Sequence, residues 1–374
     1  MKPAPGFGPV SRAVQQARHA LSRVPGFRDP SYSKLYLAGD RAGWVLDWEM
    51  AELAIVCARL GIRAESLATL PGPGRQCLFL ASSGPLEGVL QNKGDRRVGA
   101  AFFHGRPDPR EPWAEQRLSA LARLHERVDR LQVTNTAFRD IILGTGIAPD
   151  KVFLIPIGIN LAFFAVQTPE SRSSARAAFG IPESAIVVGS FQKDGVGWGE
   201  GLEPKLVKGP DVLLKTLAAL YPRVPELFVL LSGPSRGYVK AGLQRLGIPF
   251  AHVQVDNYPD VGRLYQCLDL YIVGSRDEGG PKAVLESMAS GVPLVTTRVG
   301  QATDLVQHEQ NAWMVEADDI DGLAGWAAHV LGIRGDIGEV LARGRQTAEQ
   351  CSYDALIPRW HGLLRGFVVE HPAA

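Results

Sequence analysis

The chain has 374 residues, of which 45% are hydrophobic and 21% charged, with a formal net charge of +1. That length exceeds one ordinary core and suits two domains, and the balanced charge offers no electrostatic footprint for nucleic acid. No apolar run approaches a membrane span and the start of the chain has no signal-peptide pattern, so the expectation is a cytoplasmic globular protein.

Residues 1–30 are basic, with Lys2, Arg12, Arg18, Arg23 and Arg28 against Asp29, and Val14, Ala17, Leu21 and Val24 fall on one helical stripe. The short stripe favours a helix packed on the first domain with a solvated basic face. The other reading is a peripheral contact with anionic lipid or a lipid-linked acceptor. Residues 34–38 read as the first strand, followed by a turn from Gly39 to Trp44. Asp47 is placed to cap a helix that puts Met50, Leu53, Ala54, Cys57 and Leu60 on one face. Residues 62–67, 76–80, 98–103, 131–134 and 151–155 are the next strand candidates, with a helix between the last two. Strands alternating with helices argue a doubly wound parallel sheet, whose ligands bind beyond the carboxyl ends of the strands. Gly39 and His104 both stand at such ends.

The polar, small-residue stretch 171–178 reads as a linker leading into a helix, so the expected domains are 1–165 and 166–350, with 351–374 as a final helix. The second domain opens on strand 185–189, followed by the glycine-rich loop from Gln192 to Gly201, then Lys205, Lys208 and Gly209, then a helix over 211–220. Strands follow at 227–231 and 252–255, the latter before the turn Asp256-Asn257-Tyr258. The strings Cys57, Cys77, Cys267 and Cys351 form no C-x-x-C pair, which points to buried thiols.

The apolar run 268–274 reads as a buried parallel strand. It leads into Glu278-Gly279-Gly280-Pro281-Lys282, a helix through Val284, Leu285, Glu286, Met288 and Ala289, and a strand over 294–297. Pro281 fits the first helical position, where its missing N–H is no loss. Free N–H groups at that helix start favour an anion such as a phosphate. Five helical steps from Pro281 to Glu286 span roughly 7.5 Å. That suits a ligand with a diphosphate in the middle and hydroxyls at both ends, since a carboxylate can accept two hydroxyls at once. Asp319 and Asp321 form a D-x-D string, but they precede the apolar helix 323–331, so capping is the expectation and no metal or other cofactor is. Ile357, Trp360, Leu363 and Leu364 mark the final helix.

Glu278 and Glu286, with the preceding strand, the Gly-Gly-Pro-Lys loop and the following Gly291-Val292-Pro293, reproduce the E-x7-E pattern of the retaining glycosyltransferases of family 4. The resemblance is close over 185–320 and looser in the first domain. It implies the GT-B fold, two Rossmann-like domains facing each other across a cleft. It implies that Glu278 binds the hydroxyls of the donor hexose and Glu286 the ribose, with Gly279, Gly280, Pro281 and Lys282 at the donor phosphates. Lys208-Gly209 resembles the family's Lys-Gly pair at the diphosphate, and Lys193 stands where arginine is commoner. His104 matches the position that faces the donor sugar, although a strand-end histidine is as often a core residue. Gly39 resembles the glycine that admits the phosphates to the backbone, and Tyr258 lies in the turn placed against the base, where packing is the commoner role. Ile157 replaces the usual asparagine of the passage between domains.

The function implied is metal-independent hexosyl transfer, with retention, from a nucleotide-diphosphate-sugar donor to a saccharide or glycolipid acceptor, as in cell-surface polysaccharide synthesis. Acceptor contacts are expected around 41–48 and 106–110. An epimerase or hydrolase of nucleotide-sugars on the same fold, and an inactive nucleotide-sugar-binding scaffold, are the alternatives.

Overall fold

The computed structural model describes residues 32–39, 45–67, 74–103, 106–107, 113–332 and 335–370. It has two six-stranded sheets, and every strand pair in both is parallel. The first is built from β1 (Lys34–Ala38), β2 (Arg63–Ser66), β3 (Cys77–Leu80), β4 (Arg97–Phe102), β5 (Arg130–Val133) and β6 (Val152–Leu154), in the order β2-β1-β3-β4-β5-β6. The second is built from β7 (Ile186–Phe191), β8 (Leu227–Ser232), β9 (Phe250–His252), β10 (Leu270–Val273), β11 (Leu294–Thr297) and β12 (Trp313–Val315), in the order β12-β11-β10-β7-β8-β9.

The apolar runs are continuous because both sheet faces are covered. Leu270 and Ile272 pack with Val188, Val229 and Val295 on one face of the second sheet. Tyr271 and Val273 pack with Val187, Leu230 and Leu294 on the other. This period of two along each strand sorts alternate residues into separate cores. The final helix, Ile357–Leu364, joins the core of the first domain: Trp360, Leu363 and Leu364 pack with Leu35, Leu37 and Phe79. The chain therefore passes between domains twice, and the passages run side by side. Ile159 N–H donates to Cys351 O at 3.1 Å, and Tyr353 N–H donates to Ile159 O at 3.2 Å.

Some local readings shift. Pro281 precedes the helix Lys282–Ala289 in an extended conformation instead of opening it. Asp47 lies inside the first turn of the helix Val45–Arg59, where its charge still meets the positive helix end. The edge strand β9 lies over 250–252, because Phe250 to His252 pair with Val229 to Leu231 and the chain then leaves towards Asp256. Asp319 caps as expected, its Oδ1 accepting from Gly322 N–H at 2.8 Å. All four cysteines are buried and none is in a disulfide. No helix among the described residues is long and apolar enough to cross a membrane. The basic segment 1–30 lies outside the described residues.

Candidate active site in the interdomain cleft

In the second sheet β7 and β10 are neighbours, and their connections leave in opposite directions. The crevice at their carboxyl ends is the topological switch point of a doubly wound sheet. The loops after these two strands carry Lys193, Lys208 and Glu278, so residues up to 85 positions apart in the chain converge there. Gly209 makes the convergence feasible. Its φ is +63°, and a Cβ there would stand 1.8 Å from Gly274 O.

Glu278 is buried; Ser275 Oγ donates to its Oε1 at 3.0 Å, and Lys208 Nζ is ion-paired with its Oε2. The Lys208 carbonyl accepts from Gln192 Nε2 at 3.0 Å, which fixes the backbone beneath the ammonium. Lys193 Nζ donates to Gly195 O at 2.8 Å and lies 5.1 Å from the Trp198 ring centre. Burial, and then the charge of Lys208, hold the Lys193 ammonium below its ordinary pKa. The charge of Lys208 is thus felt at Lys193, whose own ammonium donates only to a carbonyl, and two ammonium groups close enough to repel one another suit an anionic ligand.

Glu286 is also buried, but its partners are tyrosines: Tyr258 OH donates at 2.6 Å to one oxygen and Tyr265 OH at 3.0 Å to the other. Burial pushes the Glu286 carboxyl up, while the Tyr258 hydroxyl and Lys282 pull the other way. Tyr265 is fully buried and stacked on Tyr271, with ring centres 5.2 Å apart. Tyr258 is half-buried and lies 5.3 Å from the ring of Trp48 across the cleft.

Lys282 points away from Lys208 and Glu278. Its ammonium pairs with Glu49 of the first domain and lies 3.0 Å from Tyr353 OH, which itself donates to Glu49 at 2.6 Å. Asn160 Nδ2 donates to the neighbouring Glu52 at 2.8 Å. Gly279 meets the first domain directly, since a Cβ there would stand 1.6 Å from Phe103 O. Gly280 faces Ile157 and Gln301, and Gln301 Oε1 accepts from Ile157 N–H at 2.9 Å. Gly39 lies against Asp47, whose Oδ1 would be 2.1 Å from an added Cβ. His104 lies outside the described residues, as do 41–44 and 108–110 of the two expected acceptor segments. Arg106 lines a small crevice between the domains with Arg276 and Thr303. Glu49, Tyr265, Gln301, Thr134 and Asn135 carry no local motif that marks them in the sequence, because their partners across the site stand 21 to 304 positions away in the chain. Among the described residues no three His, Cys, Asp or Glu side chains gather as a metal site would.

Residues 199–332 match the family described as "Glycosyl transferases group 1", a span that includes Lys208, Glu278 and Glu286. A D-inositol 3-phosphate glycosyltransferase of Saccharomonospora viridis is 30% identical over 241 residues, which is 59% of this chain and 52% of the relative. The lipopolysaccharide core biosynthesis mannosyltransferase LpsB of Rhizobium meliloti is 26% identical over 187 residues, 48% of this chain and 50% of the relative. The chain spans about half the length of the curated relatives it matches. Among solved structures, Anabaena HepE in complex with UDP and glucose superimposes with a TM-score of 0.71 at 17% identity, covering 89% of this chain and 99% of that one. Sucrose-phosphate synthase from Thermosynechococcus elongatus gives 0.70 at 17% identity, covering 89% and 98%. Residues 199–332 are therefore similar to a glycosyl transferases group 1 domain, and the chain has the GT-B fold.

Proposed function

We propose that the protein transfers a hexose, with retention at the anomeric carbon, from a nucleotide-diphosphate-sugar to a saccharide or glycolipid acceptor. The observation that carries this reading is the Lys208–Glu278 pair at the switch point, with Glu286 eight residues further along the same loop and helix. A diphosphate competes for Lys208 and a hexose hydroxyl for Glu278, so the two groups that neutralise each other are the two that the donor separates. The leaving diphosphate gains negative charge as the sugar bond breaks, and the fixed ammonium groups of Lys193 and Lys208 stabilise that state more than the ground state. The anomeric carbon develops oxocarbenium character. The donor phosphate on the same face assists removal of the acceptor proton, and His104 faces the sugar. Glu286 accepts the ribose hydroxyls in place of Tyr258. Gly39, against Asp47, leaves room for the phosphates, and Lys282 serves closure of the cleft through Glu49.

The donor panel begins with UDP-glucose, because HepE was crystallised with it. The test is anomeric NMR of the product formed from a panel of nucleotide-sugars and saccharide acceptors, with EDTA added. The proposal expects the donor's anomeric configuration in the product and an unchanged rate in EDTA. Inverted product refutes retention, a rate lost in EDTA refutes metal independence, and donor consumption without any acceptor product points to hydrolysis.

A further inference from the structure

The loop that carries Glu278 is held from the opposite domain. At the carboxyl end of β5, Thr134 Oγ1 and Asn135 Nδ2 both donate to the carbonyl of Gly279, the amide at 3.1 Å. Both side chains are 2% exposed. Asn135 Nδ2 also donates to Thr134 Oγ1 at 3.2 Å, so the two donors are mutually braced. The other end of Asn135 is occupied locally, its Oδ1 accepting from Phe138 N–H at 2.9 Å as the cap of the helix Thr136–Leu143. Directly beside them, Thr136 N–H and Oγ1 donate to Asp304 Oδ2 at 2.7 and 2.9 Å. Phe103 O closes on Gly279 from the end of β4, leaving no space for a side chain.

We infer that Thr134 and Asn135 are positioning residues, which set the donor-binding loop in its working geometry only when the first domain is docked on the second. This rests on the proposed function for the identity of the ligand. The physical step is the planarity of the peptide. With the Gly279 carbonyl drawn to the first domain, the N–H of Gly280, in the same rigid unit, points away from Thr134 and Asn135 into the second domain's side of the cleft. Two glycines in succession have little conformational preference of their own, so an external clamp is what selects one orientation. The clamp sits one residue from Glu278, so it also fixes where that carboxylate meets the sugar. The consequence is a division of labour. The second domain supplies the charged groups for the nucleotide, Lys193, Lys208 and Glu286, while correct placement of the sugar requires the docked first domain.

Three variants separate this from a merely structural contact. Thr134→Val keeps shape and removes the donor, Thr134→Ser restores it, and Asn135→Asp keeps the helix cap but replaces the donating amide with an acceptor. Peptide-resolved amide hydrogen exchange over 275–286 is expected to speed up about tenfold or more in Thr134→Val and Asn135→Asp, and to stay near the parent rate in Thr134→Ser. Titrations with UDP, GDP and ADP, and with the matching hexose conjugates, are the second readout. Nucleoside-diphosphate affinity is expected to stay within about twofold, while the extra affinity contributed by the hexose falls about tenfold in the two damaging variants. Unchanged loop exchange in both variants overturns the clamp. Faster exchange with the hexose contribution intact overturns the positioning role. If no nucleotide or conjugate binds the parent protein, the proposed function fails, and the clamp is judged on exchange and its rescue by serine alone.

Discussion

Replacing Tyr258 by phenylalanine should tighten binding of the nucleotide. In the structure the Glu286 carboxylate accepts two phenolic hydroxyls. Tyr265 is fixed by full burial among Phe164, Phe191 and Tyr271. Tyr258, at the start of the short helical turn Tyr258–Asp260, is the less enclosed residue of the two, so the proposed ribose takes the place of its hydroxyl. Burial, and then the charge of Glu286, hold the Tyr258 phenol well above its ordinary pKa, so at neutral pH it remains a donor. A hydrogen bond to a charged group contributes about 1.5–3 kcal/mol, which is the cost a ribose must meet to take its place. Tyr258→Phe removes that competitor and leaves the ring against Trp48. The expected result is affinity for the ribonucleoside diphosphate raised about tenfold or more, since ~1.4 kcal/mol is a factor of ten. The free protein loses about 1–3 kcal/mol of stability in exchange, because a buried carboxylate has lost a donor. The assay is a calorimetric titration of both proteins with a nucleoside diphosphate and its 2′,3′-dideoxy counterpart, which should gain nothing from the substitution. Equal or weaker binding of the ribonucleotide by Tyr258→Phe refutes the exchange.

The other predictions concern the frame around the site. Lys282→Met leaves the buried Glu49 carboxylate without its ammonium and should cost about 3–5 kcal/mol in urea unfolding, with the interface between domains loosened; a loss under about 1 kcal/mol contradicts the latch role. Arg236→Met strands Asp194, which is fully buried and paired with it at 3.1 Å, and should cost a similar amount. Because Asp194 anchors the loop that carries Lys193, limited proteolysis of that variant should cut within 192–207, and an uncut loop speaks against the anchor. Burial raises the Glu286 carboxyl above its ordinary 4.5. The folded protein therefore keeps a proton that the unfolded chain gives up, and this group's contribution to stability falls as pH rises from about 4.5 through the raised value. Glu286→Gln should flatten that slope, and urea midpoints taken across the window that show the same slope in both proteins contradict the assignment.

The strands were legible because buried parallel strands are written as unbroken apolar runs, as in 270–273 and 294–297. Glu278, Glu286 and Lys208 were legible for a related reason: each belongs to a local pattern of strand, glycine loop and helix. What the sequence hides is the partner of each charge. Glu49 meets Lys282 from 233 residues away, Tyr353 meets Glu49 from 304, and Thr134 meets Gly279 from 145. No spacing rule reaches across such gaps, so Lys282 reads as one more residue of the donor loop, whereas its ammonium lies against the first domain. The sequence also left open whether the loop beyond Lys193 is a lid. Its base is a short hairpin, with Gly195 bridged to Pro204 and Asp194 buried against Arg236, while Trp198 and Leu202 at its tip are 61% and 63% exposed.

A nucleotide-diphosphate donor is proposed to bind at the switch point, between Lys208 and the two glutamates. The most direct measurement is thermal unfolding against UDP, GDP, ADP, CDP and dTDP, with Lys208→Ala and Glu286→Ala alongside. A ligand at 100 times its dissociation constant adds about 2.7 kcal/mol to the state that binds it. One nucleotide is expected to raise the melting temperature of the parent protein and of neither variant. A shift that survives both substitutions, or the absence of any shift even with the intact nucleotide-sugars, contradicts it.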